Sequence, residues 1–343
     1  MTGLVASTAP WIARQLAALA AQPGQALLLH GPSGLGQYAL AESLAALWLC
    51  EQPVASEGEG AAPHQACGQC ASCHLLGAHT HPDLRVLMPE AVMQALEWPL
   101  SEKAQQELDD KKRKPSREIR IDAMRDAIEF AQRTSARGRA KVVLVYPAER
   151  MNHVTANALL KTLEEPPGEL RFVLATEAAH RLLPTIRSRC LSHAMAWPVA
   201  DEAQSWLASQ GLAPADALAW LRAAGGRPEE ALKMAQSGLS VAQWRLFPQA
   251  MARGDTTSVA DWGPAQLVDA LQKLAHDLAA TRSGAEPRFF EPAALPKPPD
   301  WPALAQWHKD LVATASRVEH PFNPGLMLEA LVSQARTALH SKP

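Results

Sequence analysis

"GPSGLGQYAL", residues 31–40, decides how this chain folds. It follows the apolar run "ALLLH" (residues 26–30) and opens into "YALAESLAALWLC" (residues 38–50), an Ala- and Leu-rich stretch of helical character. Strand, glycine turn and helix form the context in which G-x-x-x-x-G-K-[ST] cradles nucleotide phosphates. Gly31 and Gly36 stand at the required spacing, with Gly34 between them. The lysine position, however, holds Gln37, and the hydroxyl position holds Tyr38. In a working loop the lysine pairs with the β- and γ-phosphates, and the Ser/Thr hydroxyl ligates Mg²⁺. Gln37 is neutral, and the hydroxyl of Tyr38 sits at the far end of a ring. A hydrogen bond to a charged group is worth about 1.5–3 kcal/mol, so losing the lysine alone weakens binding roughly ten- to a hundredfold. The segment reads as the backbone of a nucleotide site without its charged groups.

Outward from the loop, apolar runs alternate with helical patterns. "HPDLRVLM" (81–88), "KVVLVY" (141–146), "RFVLAT" (171–176) and "CLSHAM" (190–195) read as further strands. "IDAMRDAIEFAQRT" (121–134) and "ANALLKTLEE" (156–165) read as helices, the latter stopped by Pro166 and Pro167. Continuous apolar strands between helices predict a parallel α/β sheet of five strands. After Pro198 the pattern is helical only, interrupted by the proline-rich "EPAALPKPPDWP" (291–302). Residues 89–118 read as a polar, charge-rich insertion, mobile in part. The strand "KVVLV" agrees with the loop. An active P-loop ATPase has acidic residues at its end to hold Mg²⁺ and polarise water, and here Tyr146 and Pro147 follow. Glu149 nearby reads as a solvated loop residue.

The whole chain narrows the function classes. Its 343 residues, 47% hydrophobic and 20% charged, suit two or three domains with sizeable cores. A net charge of −2 provides no global basic field for nucleic acid. No apolar run reaches the length of a membrane span, and "MTGLVASTAPWIARQ" lacks the pattern of a secretion signal. Four of the five cysteines lie close together, which favours a metal site in a reducing compartment over a disulfide framework. Cys67, Cys70 and Cys73 form C-x2-C-x2-C, and Cys50 ends the helix that follows the glycine loop. Four thiolates make a closed tetrahedral set, the arrangement of structural Zn²⁺, although an iron–sulfur cluster takes the same number. His64, His74, His79 and His81 surround the cluster as substitute ligands or plain loop residues, and Cys190 reads as a buried apolar thiol.

"TIRSRC" (185–190) carries two arginines just before the fifth strand. The plainer reading is a pair of surface arginines. The functional one is an arginine finger, a rigid fork of donors that completes a neighbour's nucleotide site from a subunit edge.

Together "GPSGLGQ", "CGQCASC", "HPDL", "NALLKTLEEPP", "FVLAT" and "LLPTIRSRC" resemble the AAA+ clamp-loader family of DNA replication, over roughly residues 10–235. The resemblance implies an AAA+ α/β P-loop domain over residues 1–196, with a zinc-binding insertion at about 50–82. It implies a small helical lid over 197–240 and an all-α collar over 241–343. It implies a cytoplasmic, non-catalytic subunit of the DNA polymerase III holoenzyme, in a five-membered ring with gamma/tau and delta subunits, which opens the sliding clamp and loads it on primed DNA. In that setting Cys50, Cys67, Cys70 and Cys73 hold a structural Zn²⁺. Gly31, Gly34, Gly36, Gln37 and Tyr38 form a vestigial loop that holds no ATP tightly. Arg189 acts in trans on the ATP of an adjacent gamma/tau subunit. The lid's ATP-sensing arginine falls near "GGRPEEAL" (225–232), where register places Glu229 and Arg227 lies close by. An ATP-hydrolysing gamma/tau-type subunit is the nearest rival, disfavoured by Gln37, Tyr38, Tyr146 and Pro147. From another class, a zinc-dependent nucleic-acid-binding module is disfavoured because the one dense cationic run, "KKRK" (111–114), follows "ELDD" and reads as a charge-balanced loop.

Overall fold

β1 (Ala26–His30) is buried along Leu27, Leu28 and Leu29, and β3 (Lys141–Val145) along its whole length. A strand apolar on both sides must lie inside a sheet covered on both faces. The computed structural model, which describes residues 9–20, 22, 24–55, 65–318, 320 and 323–341, places them so. With β2 (Leu84–Leu87), β4 (Leu170–Thr176) and β5 (Leu191–Ala194) they form a five-stranded sheet in the order β2-β3-β4-β1-β5, every pair parallel. The expected α/β class and strand number hold.

Side chains alternate across the sheet with a period of two. Leu28, Val143, Val145, Phe172 and Leu174 share a core with α6 (Ile121–Gln132), α7 (His153–Glu164) and α8 (Pro184–Arg187). On the other side α2 (Gln37–Leu49) packs over β3 and β4, with α1 (Pro10–Ala20) against it. α3 (Ala71–Gly77) follows the first cysteine segment. The C-terminal ends of β1, β3 and β4 thereby bring the glycine loop, Tyr146 and Thr176 to one edge of the sheet, where open α/β folds bind ligands.

The charge-rich insertion over residues 89–118 carries regular structure. The segment forms α4 (Glu90–Ala95) and α5 (Glu102–Asp109), tied down by one buried carboxylate. Glu90 takes both terminal nitrogens of Arg113 and the Ser116 N–H at 2.8 Å, and Arg113 Nε also reaches Glu107 at 2.7 Å. Burial alone would raise the Glu90 carboxyl, but Arg113 and the Ser116 N–H hold it below the usual carboxylate range. With Lys112 paired to Asp110 at 2.8 Å, two cations of "KKRK" are neutralised locally, as the flanking "ELDD" foretold.

The chain divides into two units, Met1–Pro198 and Val199–Pro343. The second consists, among the described residues, of helices α9 (Ala200–Ser209), α10 (Pro214–Ala223), α11 (Pro228–Gln236), α12 (Val241–Arg253), α13 (Pro264–Arg282), α14 (Trp301–Ala315) and α15 (Pro324–Leu339), with short 3₁₀ turns between some of them. One core runs through it on both sides of residue 240, with Trp220, Trp244, Phe247 and Phe290 in ring contact. The stretch just before the proline-rich segment is docked by a buried side chain. Asp277, fully buried, accepts the backbone N–H groups of Arg288, Phe289 and Phe290 at 2.7–2.8 Å. No helix among the described residues is long and apolar enough to cross a membrane.

Candidate functional site

The glycine loop keeps its shape. Gly34 (φ 86°) and Gly36 (φ 94°) lie in the left-handed region, which a side chain would strain. Gly31 leaves no room either, because a Cβ there would come within 2.9 Å of Met195 Cβ. The interior of the loop is taken by its own residues. Gln37, 2% exposed, turns its amide inward and donates to the carbonyls of Gly31 at 2.7 Å and Pro32 at 2.8 Å. Trp11 Nε1 donates to the Leu35 carbonyl at 3.0 Å. A lysine here would project an ammonium, whereas the glutamine closes the loop on itself.

The flank where a metal-ligating hydroxyl belongs is filled by aromatic rings. Tyr38 lies against Tyr146, centroids 5.2 Å apart. Its hydroxyl accepts from Trp98 Nε1 at 2.7 Å and donates to Glu42 at 3.1 Å. Trp98 in turn stacks on His79 at 3.9 Å. Burial, reinforced by the neighbouring Glu42, pushes the Tyr38 phenol up, and burial likewise raises the Glu42 carboxyl. Beyond β3, the Tyr146 hydroxyl donates to Glu177 at 3.2 Å. Glu149 is not the solvated loop residue expected: it accepts from the buried Thr176 hydroxyl at 2.6 Å and from the Glu177 N–H at 3.2 Å. It caps the end of β4 and is spent as an acceptor.

Because the loop and its metal flank are blocked by different residues, Gln37→Lys alone is expected to leave nucleotide binding undetected up to millimolar concentrations. Titration with a fluorescent ATP analogue checks this. Saturable micromolar binding by the single variant would mean that Tyr38, Tyr146 and Trp98 do not matter.

The four cysteines converge. Cys50 Sγ lies 3.5 Å from Cys67, 3.9 Å from Cys70 and 3.7 Å from Cys73, and Cys67 lies 3.9 Å from Cys73. All four sulfurs are within 4.8 Å of one another. A tetrahedron with Zn–S bonds of 2.3 Å has S···S edges of about 3.8 Å, so the quartet fits that ion. Backbone N–H groups point at the sulfurs: those of Cys67 and Cys70 at 3.3 Å, those of Gln69 and Cys73 at 3.5 Å. These donors favour thiolate. The backbone N–H of Gln69 pulls the Cys67 thiol down; Cys70 falls to about 6, its burial outweighed by the Cys73 and other donors. Burial pushes Cys50 and Cys73 up. Among the described residues no histidine joins the cluster. His79 stacks on Trp98, His81 accepts the Asp83 N–H through Nδ1 at 3.1 Å, and His64 lies outside the described residues. Cys190 stands apart, its thiol raised by burial to about 11.

"HPDL" contributes by anchoring. Asp83, 1% exposed, gathers the loop before β3 through the Ser135 hydroxyl (3.0 Å) and the N–H groups of Ala136 (2.8 Å) and Arg137 (2.9 Å). Arg137 then reaches Glu51 and Ser72, beside the cysteines, at 3.0 and 2.9 Å through Nε. The cysteine quartet is thus tied to the sheet by side chains whose roles no single motif disclosed.

Arg189 stands two residues before β5 with its side chain 31% exposed. The chain just before it is not extended: Pro184–Arg187 is a helical turn. Arg187 is exposed and its guanidinium has no partner among the described residues, whereas Arg189 Nε donates to Glu164 at 2.6 Å. In the second unit, Arg227 precedes α11 and donates to the Ala224 carbonyl at 2.8 Å, while Glu229 lies in the first turn of that helix.

Against known proteins, the family model described as DNA polymerase III, delta subunit, matches residues 12–196. The chain is 42% identical to DNA polymerase III subunit delta' of Pseudomonas aeruginosa over 64% of its length and 58% of that protein. It is 37% identical to the Escherichia coli subunit delta' over 66% of its length and 60% of that protein, and 32% identical to that of Yersinia pestis over 72% and 70%. The chain thus spans somewhat under two thirds of the first two relatives. The family model covers the unit that holds the blocked loop, the cysteine quartet and "SRC", and on these matches the chain belongs to the delta-prime subunit family of bacterial DNA polymerase III.

Proposed function

We propose that this chain is the non-hydrolysing subunit of a DNA polymerase III clamp loader, acting in the cytoplasm. It sits in a five-membered ring with gamma/tau and delta subunits, which opens the sliding clamp and loads it on primed DNA. The observation that carries this reading is the contrast between two ends of one unit. The loop that would hold nucleotide is filled by Gln37, Tyr38 and Tyr146, while Arg189 keeps part of a guanidinium at the surface. The chain holds no ATP tightly, and Arg189 serves as an arginine finger in trans for ATP on the adjacent gamma/tau subunit. An ATP-hydrolysing role is disfavoured by the same filled loop.

Cys50, Cys67, Cys70 and Cys73 hold one Zn²⁺ in a closed structural site, supported by their tetrahedral spacing. Residues 197–240 serve as lid and residues 241–343 as collar, where ring subunits meet. Copurification tests the assignment. The purified chain is expected to enter a stable complex with gamma/tau and delta subunits and to restore clamp loading to a mixture that lacks it. A chain that stays monomeric in that mixture, or turns over ATP alone, contradicts the reading.

A further inference from the structure

Arg189 is held by its own chain before any neighbour arrives. Its Nε and Nη2 both donate to one oxygen, Oε1 of Glu164, the former at 2.6 Å, and Nη1 donates to the Thr185 carbonyl at 2.9 Å. Glu164 is the last residue of α7, in "TLEEPP", and Arg189 belongs to "SRC". Two motifs 25 residues apart therefore meet in one contact. A guanidinium has five N–H donors. The Glu164 contact occupies the Nε–Nη2 edge. It leaves the second N–H of Nη2 at the outer end, beside an Nη1 whose one further neighbour is Ser188 Oγ at 3.5 Å.

Stability does not account for this arrangement. Both side chains are partly exposed, 31% for Arg189 and 48% for Glu164, and such pairs contribute little to folding. What the contact does is fix a long side chain that otherwise samples many rotamers, with one N–H of Nη2 left over at its outer end. We propose that Glu164 is a positioning residue. It pre-orients Arg189 so that the remaining Nη2 N–H meets a phosphate bound by the neighbouring subunit. This inference rests on the trans role of Arg189. The gain is preorganisation: a donor already aimed where charge develops needs no reorganisation at the moment of reaction. A misplaced group can cost up to about a hundredfold in rate. The work is done by an acceptor oxygen at the right place, so a neutral amide oxygen there serves nearly as well as a carboxylate.

The test uses Glu164→Ala, Glu164→Gln, Arg189→Ala and the Glu164→Ala/Arg189→Ala pair. Each is read in the reconstituted ring as clamp-loading rate and ATP KM, and in the free chain as the Arg189 Nε–Hε NMR signal. Glu164→Ala is expected to move that signal to a solvent-exposed position and to slow loading several-fold with KM unchanged. Glu164→Gln is expected to keep the signal and restore most of the rate. The double variant should be no slower than Arg189→Ala alone. Additive losses in the double variant, or a wild-type rate for Glu164→Ala beside a slow Arg189→Ala, overturn the positioning role while leaving the finger intact. A wild-type rate for Arg189→Ala removes the finger itself, and the positioning role with it, even if the NMR signal still reports the ion pair.

Discussion

Arg189→Ala, placed in an otherwise wild-type clamp loader, is expected to cut DNA- and clamp-stimulated ATPase partially and clamp loading more severely. An arginine finger is worth about 10³–10⁵ in rate at the site it completes. In the proposed ring, this chain would border one of several nucleotide sites, so total turnover should fall by that site's share. Loading depends on concerted action of the ring and falls further. Folding should be untouched, because the lost group is partly exposed and its ion pair with Glu164 is of the kind that stabilises little. Arg189→Lys should rescue poorly, since an ammonium lacks the planar fork. Arg187→Ala is the control: it removes a nearby arginine that is exposed and unpaired among the described residues, and its effect should be mild. Wild-type ATPase and loading by Arg189→Ala, in a ring shown to be fully assembled, would end the trans-acting reading.

Cys70→Ser is expected to abolish zinc retention and lower the melting temperature by several degrees. The ion would close the cysteine segment on Cys50, the residue that ends α2, so its loss frees that segment from the helix. Structural zinc contributes folding energy directly, about 10–16 kcal/mol in small zinc-finger peptides. Here the segment is also held by Glu51, Ser72 and Arg137, and the loss in the whole chain is smaller. Metal analysis with calorimetry reads both effects. Full zinc occupancy and unchanged melting in Cys70→Ser would contradict the assignment.

The pH dependence has a definite sign. Zinc needs thiolates, and protons compete for them. Cys50 and Cys73, raised by burial, hold their protons near neutrality, so binding there releases at least those two. Affinity should therefore fall about a hundredfold per unit as pH drops, one factor of ten for each proton displaced. Below about pH 6, where Cys70 also takes up a proton, the fall steepens. A pH-independent zinc affinity would show that the quartet is not the binding site.

How much of this was legible in advance depends on the range of each interaction. The missing lysine, the missing acidic strand end and the C-x2-C-x2-C spacing are local properties: the functional groups at Gln37, Tyr38, Tyr146 and Pro147 limit the chemistry whatever the fold. The strands were legible because burial on both faces leaves a continuous apolar run, as in "ALLLH" and "KVVLV". What the letters could not disclose is which partner each polar group takes. Glu149 and Glu164 look alike in sequence, yet one caps β4 through Thr176 and the other grips Arg189. Trp98 reaches Tyr38 across 60 residues, and Asp83 reaches the 135–137 loop across more than 50. Such pairings carry no periodicity, because they arise where separate elements are brought together by packing. The insertion over residues 89–118 makes the same point. Its composition is that of a solvated segment, and nothing in it announces that it forms two short helices with Glu90 buried against Arg113. The sequence by itself therefore determined the sheet, the candidate cysteine quartet and the absence of nucleotide chemistry's usual groups. Tertiary structure alone decided that the loop is plugged by Gln37 and that Arg189 is held by Glu164, because both depend on distances between residues that the chain order leaves free.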